Sequence, residues 1–235
     1  MKRWITSALA LTAFAAAGPA IAADLPAPAP PPPRAPATYV PAAPAFTWTG
    51  FYIGVNGGYG FGSSTWNAPA STGAFNTDGF LVGGTIGANW QLNALVLGVE
   101  GDFDYSTING SSGVVCNAPT AASCETATNW LATVRGRVGY AFDHILVYGT
   151  GGGAFANLQT GLNPPQTFGE RTAFGWTAGA GVEVAFTQNW TAKLEYLYVD
   201  LENQTCALTV NCGLAAGSTV TFTESLVRAG LNYKF

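Results

Sequence analysis

Glu100, Asp102 and Asp104 recur at every second position of one stretch, and Arg135 and Arg137 do the same in another. Residues two apart in a strand share a face, so this spacing sets three carboxylates on one face and two guanidinium groups on a face of the next element. Glu183, Lys193, Glu195, Glu224 and Arg228 occupy like positions in later stretches. Two chemistries are open to such a set. Paired carboxylates can divide acid and base roles in an enzyme, or opposite charges on adjacent strands can pair with one another. The remaining chemistry is thin. The single histidine, His144, follows Asp143 in a tight turn, where neither a Ser-His-acid triad nor a His-ligated metal site can be built around it. The glycine runs Gly57-Gly58 and Gly149 to Gly153 lack the Lys and Ser/Thr of a phosphate loop and fall inside strand patterns. Close backbone approach accounts for them better than a nucleotide does. No catalytic residue, metal-ligand set or cofactor site is assigned, and the chain is not expected to be an enzyme.

The charges require strands to position them, and period-two patterning supplies eight. The first, Thr49 to Phe61, alternates Phe51, Ile53, Val55, Tyr59 and Phe61 against Tyr52, Asn56 and glycines. The second carries Phe80, Val82, Ile86 and Trp90 on one face, and the third sets Leu95, Leu97, Val99, Phe103 and Tyr105 against the three carboxylates. In the fourth, Trp130, Val134, Val138, Tyr140 and Phe142 oppose Arg135 and Arg137. The fifth spans Ile145 to Asn157, and its glycine run gives no facing. The sixth sets Phe174, Trp176, Val182 and Val184 against Glu183, and the seventh sets Leu194, Tyr196 and Tyr198 against Lys193 and Glu195. The eighth, Thr219 to Phe235, ends the chain on an aromatic residue. A terminal strand leaves an open edge unless it closes on the first one. The expected fold is therefore all-β: a closed eight-stranded antiparallel up-and-down β-barrel over residues 48–235.

Period two does not say which face is inside, since a secreted barrel would show the same alternation with apolar residues inward. The aromatic residues decide it. Phe51, Trp90, Tyr140, Phe142, Phe186, Trp190, Tyr233 and Phe235 gather at the short-turn ends, and Phe61, Phe80, Tyr105, Trp130, Phe174 and Tyr198 at the long-loop ends. Two interfacial belts are the signature of a membrane barrel. Charged residues make up only 9% of the chain against roughly 25% in soluble domains, as a lipid-facing wall requires. The formal charge of −4, two units more negative once Lys2 and Arg3 are lost with a leader, argues against nucleic acid as a partner. A lumen of eight strands is just wide enough for side chains, which favours a structural charge network over catalysis.

Residues 1–22 read as a secretory signal: Lys2 and Arg3, an apolar core through Leu9 and Phe14, and a small-residue cleavage site ending at Ala22. Residues 23–47 are Pro- and Ala-rich, including Pro30 to Pro33, and are expected to form an extended, disordered periplasmic tether. About twenty such residues at ~3.1 Å each reach roughly 60 Å. Cys116 and Cys124 fall in the second long loop, expected over Thr107 to Ala127, and Cys206 and Cys212 in the fourth, expected over Asp200 to Ser218. An exported chain meets an oxidising compartment, so disulfides are expected; three connectivities exist, the two local ones are favoured, and a metal site is the alternative.

Several segments also carry a family resemblance. Trp48-Thr49-Gly50-Phe51-Tyr52-Ile53-Gly54, Tyr59-Gly60-Phe61-Gly62, Gly179-Ala180-Gly181-Val182-Glu183, Lys193 to Tyr198 and Leu226 to Phe235 resemble the outer-membrane immunogenic proteins of the opacity-type, OmpA-like porin families of Gram-negative bacteria. The resemblance runs from Trp48 to Phe235 and fades in the long loops. It implies an outer-membrane location, with lipid as surroundings, and recognition of the terminal Tyr233 and Phe235 by the barrel-assembly machinery. It names no single activity. A structural barrel with disulfide-pinned, antigenic surface loops, expected as a monomer, needs least; a narrow porin and a loop-based adhesin or ligand receptor are the alternatives. In related barrel proteins a mature chain beginning Ala-Asp can be joined to peptidoglycan through its terminal amine, and cleavage after Ala22 would expose Ala23-Asp24.

Overall fold

The last strand finds the first. In the computed structural model, which describes residues 46–67, 73–117, 122–163, 167–205 and 219–235, Thr219–Lys234 pairs antiparallel with Gly50–Asn67 from Tyr52↔Lys234 to Asn67↔Thr219. The strands are β1 (Gly50–Asn67), β2 (Ala74–Leu92), β3 (Leu95–Asn117), β4 (Ala122–Phe142), β5 (Ile145–Asn163), β6 (Thr167–Ala185), β7 (Trp190–Thr205) and β8 (Thr219–Lys234). Each pairs with its sequence neighbour, and the β1–β8 pairing closes the barrel. Closure satisfies the ladder groups that an open edge would expose to lipid. The turns β2–β3 and β4–β5 are two residues long, and Asn93 and Asp143 hold them with φ of 57° and 55°. Asn and Asp tolerate that left-handed backbone better than branched residues do.

Alternation follows the sequence pattern. On β3, Leu97, Val99, Phe103 and Tyr105 are exposed while Glu100, Asp102 and Asp104 are buried. The outer wall carries aromatic pairs at both ends, among them Tyr233–Phe235 and Tyr140–Phe142 at the short-turn end and Tyr59–Phe80 and Phe155–Phe174 at the other. β5 now has defined faces. Leu146, Tyr148, Thr150 and Ala154 point into the lumen, which places Gly149, Gly151 and Gly153 on the outer wall and Gly152 inside.

The strands run further than the apolar pattern suggests. Most of the stretch Thr107 to Ala127 is strand rather than loop, with Ile108↔Thr128 and Gly110↔Thr126 in register, and β7 likewise continues through Asp200 to Thr205. Outward positions here turn polar, as at Thr107 and Asn109, so the apolar half of the alternation disappears although Ile108 and Ser112 still point inward. A bulge between Thr128 and Leu131 moves the inward set of β4 from even to odd numbers. Crossing a membrane takes about 9–11 residues per strand; strands of 16 to 23 residues therefore stand well beyond the aromatic belt at the long-loop end.

The expected signal peptide, most of the tether and Ala23 lie outside the described residues, as do Cys206, Cys212 and the side chains of Cys116 and Cys124. Phe46 and Thr47, which composition places in the tether, lie against the short-turn mouth of the barrel.

Candidate functional site

All ten charged residues singled out in the sequence line the lumen, and none is more than 5% exposed. Nine form one network. Arg135 Nη2 donates to Glu100 Oε1 at 2.6 Å and to Asp102 Oδ2 at 2.5 Å, and its Nη1 reaches Glu195 on the far wall at 2.9 Å. Arg228 Nη1 lies 2.7 Å from Asp104 and its Nη2 2.9 Å from Glu195. Arg137 Nη2 lies 2.7 Å from Glu183, and Lys193 Nζ 3.0 Å from Glu100. Each carboxylate thus faces at least one cation, the condition under which charges can remain in a dry interior.

Neutral side chains complete the shell. Tyr52 donates to Glu100 Oε2 at 2.7 Å and accepts from Arg137 at 3.0 Å. Thr85 and Thr133 donate to the two oxygens of Asp102 at 2.7 and 2.9 Å. Thr191 and Asn232 both donate to Glu183 Oε1, at 2.5 and 2.9 Å. The Arg137 guanidinium also stacks 3.9 Å from the Tyr148 ring centroid, within cation–π range. None of these neutral partners was singled out in the sequence. Their signal was parity alone, since each shares the charged face of its strand.

Glu224 is the exception. It is 2% exposed, and its Oε1 has no hydrogen-bond partner among the described residues. That oxygen fills the space beside Gly60 together with Ile108 Cδ1 and Leu226 Cδ2.

Apolar layers lie on either side of the charges. Toward the long-loop end, Leu81, Ile108, Leu131, Leu158, Leu197, Leu201, Phe222 and Leu226 pack into one cluster. Toward the short-turn end, Trp48, Val96, Ala141, Leu146, Tyr148 and Ala185 form a second, with Phe46 against it. The lumen is a packed column of apolar, charged and apolar layers. One hollow lies along the outer wall, over Gly84 and Gly101 between Ile86, Phe103 and Val134.

A family described as outer membrane protein beta-barrel domain matches residues 35–235. The chain belongs to that family. It is 41% identical over 214 residues to a 31 kDa outer-membrane immunogenic protein of Brucella melitensis, covering 83% of this chain and 87% of that one. It is 36% identical to a 22 kDa outer membrane protein of Rhizobium leguminosarum bv. viciae, covering 99% of this chain and all of the relative. Among solved structures, the outer membrane protein OprG of Pseudomonas aeruginosa superposes with a TM-score of 0.51 at 12% identity, over 81% of this chain and 98% of OprG; that likeness concerns the fold. This outer-membrane barrel accordingly presents its exposed wall, from Phe51 and Ile53 through Val134 and Val138 to Phe235, to lipid. Tyr233 and Phe235 are on that wall, Phe235 with 69% of its surface exposed.

Proposed function

We propose that this outer-membrane barrel is a structural, non-conducting component of the envelope whose long hairpins form the exposed, antigenic surface. The observation that carries the reading is the stacked lumen: a charged layer sealed by an apolar layer on each side. Water-filled channels belong to barrels of about sixteen strands, and eight strands filled in this way leave no reason to expect a conducting path.

In this reading the short turns face the periplasm and the extended β3–β4 and β5–β6 hairpins face outward. The printed names of the Brucella relatives, outer-membrane immunogenic proteins, support assigning surface exposure to those hairpins. Pairing within Cys116–Cys124 and Cys206–Cys212 would pin two of the loops. The barrel-assembly machinery recognises the terminal strand through Tyr233 and Phe235, the folded barrel is a monomer in lipid, and no catalytic role is assigned. The Pro-rich tether, cut after Ala22, gives Ala23 the reach to be joined to peptidoglycan, so that one chain links membrane and wall.

Planar-bilayer recording tests the core of this reading: the purified barrel is expected to give no steady current, and a large steady conductance would refute it. The linkage has its own test. Sacculi boiled in detergent and digested with a muramidase should release peptides carrying muropeptide on Ala23; a clean Ala23 peptide with no retained protein reduces the tether to a spacer.

A further inference from the structure

The four residues before β1, Phe46 to Thr49, cross the short-turn mouth and hold on to three separate parts of its rim. At the end of β2, Gln91 accepts from the Trp48 backbone N–H at 2.7 Å, and its own N–H donates to Thr49 Oγ1 at 2.9 Å. At the β4–β5 turn, the Trp48 indole Nε1 donates to the Asp143 carbonyl at 3.0 Å, and Phe46 stacks on His144 with ring centroids 4.9 Å apart. At the end of β8, Lys234 donates to the Thr47 carbonyl and sits 4.3 Å above the Phe46 ring. Lys234 is itself fixed to the β6–β7 turn, its N–H donating to Asn189 O at 2.7 Å and its carbonyl accepting from Asn189 Nδ2 at 2.8 Å. In a ring of eight strands the β4–β5 turn lies opposite the β8–β1 seam, so this short run spans the mouth.

The centre of the run is a plug. Trp48 is 1% exposed and belongs to one buried cluster with Val96, Ala141, Leu146, Tyr148 and Ala185. Every contact of the run is a side-chain hydrogen bond, a ring contact or indole burial, separate from the ladders that hold the wall. It can release while the barrel stays closed.

We propose that Phe46–Thr49 is a strap that closes the periplasmic mouth and takes the first load when the upstream chain is pulled. Without it, tension would act directly on Gly50 and open the β1 ladders to β2 and β8 one pair at a time. With it, tension first meets Trp48 in its socket and three points around the rim. The source of that load rests on the tethering described above; the strap rests on geometry alone.

The test is to pull the full mature chain by its amino-terminal end from a lipid bilayer with a single-molecule force probe. The wild-type trace should begin with a short rupture releasing four residues, about 14 Å of chain, before the first strand is extracted. Trp48→Ala should lose that event and leave the strand-extraction forces unchanged. Trp48→Phe, which keeps a ring and loses the Nε1 donor, should show it at reduced force, as should Lys234→Met. Heat-modifiable gel migration establishes beforehand that each variant is folded; if Trp48→Ala is not, the two milder variants decide. A wild-type trace that opens directly with β1, or variants that match wild type, overturns the strap. Absence of muropeptide on Ala23 would overturn the tether and leave this trace unaltered.

Discussion

Arg135 on β4 spans the lumen to Glu195 on β7, its Nη1 lying 2.9 Å from Oε1 and 3.1 Å from Oε2. The two strands are not neighbours in the sheet, so the pair braces opposite walls where no ladder can. Arg135 also neutralises Glu100 and Asp102, and its removal would leave three buried carboxylates short of a cation. Breaking one side of a buried pair costs about 3–5 kcal/mol. Arg135→Ala should therefore lower the urea midpoint of the detergent-folded barrel substantially, and Arg137→Ala should do the same through Glu183. The Arg135→Ala/Glu195→Ala double variant should lose less than the two singles together. Midpoints equal to wild type would contradict the brace.

Glu224 should behave in the opposite way to Glu195. Its side chain contacts Ile108 and Leu226, and no cation pairs with it among the described residues. Glu224→Gln keeps the shape and removes an uncompensated carboxyl from an apolar layer, so stability should stay level or rise. Glu195→Gln takes charge from two arginines and should lower stability by about 1–3 kcal/mol. Paired unfolding curves in the same detergent compare the two; equal losses would mean that Glu224 has a partner of its own.

How legible this molecule is depends on whether a position carries a side chain and whether its neighbours contrast with it. On β3, Val99 and Phe103 set against Glu100 and Asp102 fix the faces outright, and the same contrast on β4, β6, β7 and β8 places the rest of the ten lumen charges. The run Gly149 to Gly153 offers no contrast, and only its pairing with Thr177 and Arg135 decides it. The apolar layers are harder still. Leu197, Leu201, Phe222 and Leu226 can be assigned inward by parity, but their meeting with Leu81 and Ile108 depends on the stagger between strands, which no single strand encodes. Trp48 reads as the opening of the barrel segment; its burial at the mouth needs Ala141 and Ala185, from the ends of β4 and β6 far along the chain, to join its cluster. The charge partners within the network are set by the same stagger, which is why Arg135 finds Glu195 as well as its neighbour Glu100.

The terminal residue should matter more to assembly than to stability. Phe235 donates its N–H to Phe51 O at 2.9 Å and sets its ring edge-on to Tyr233, at the seam where β8 must meet β1. Deleting Phe235, or changing it to Ser, removes an outward aromatic from the interfacial belt and part of the terminal signal. A time course of heat-modifiable migration in cells should show slower accumulation of the folded form. An unaltered rate would remove Phe235 from the assembly step.

Two adjacent glycines give the sharpest test of the wall. At Gly152 an added Cβ would run into the Val134 carbonyl oxygen and lie 2.7 Å from Arg135 Cα, both backbone atoms of β4 that cannot turn aside. At Gly151, one residue earlier and on the outer wall, the nearest atom is Thr177 O at 3.5 Å, an ordinary contact. Gly152→Ala should therefore cost about 1–3 kcal/mol, as overpacking does. It should also disturb Arg135, whose backbone is the obstacle. Gly151→Ala should be neutral or gain about 0.5–1 kcal/mol, because Ala orders a strand interior at less entropic cost than Gly. Urea midpoints of the two variants in the same detergent give the comparison. If Gly151→Ala were the damaging change, β5 would be inverted, with Gly151 rather than Gly152 against the lumen.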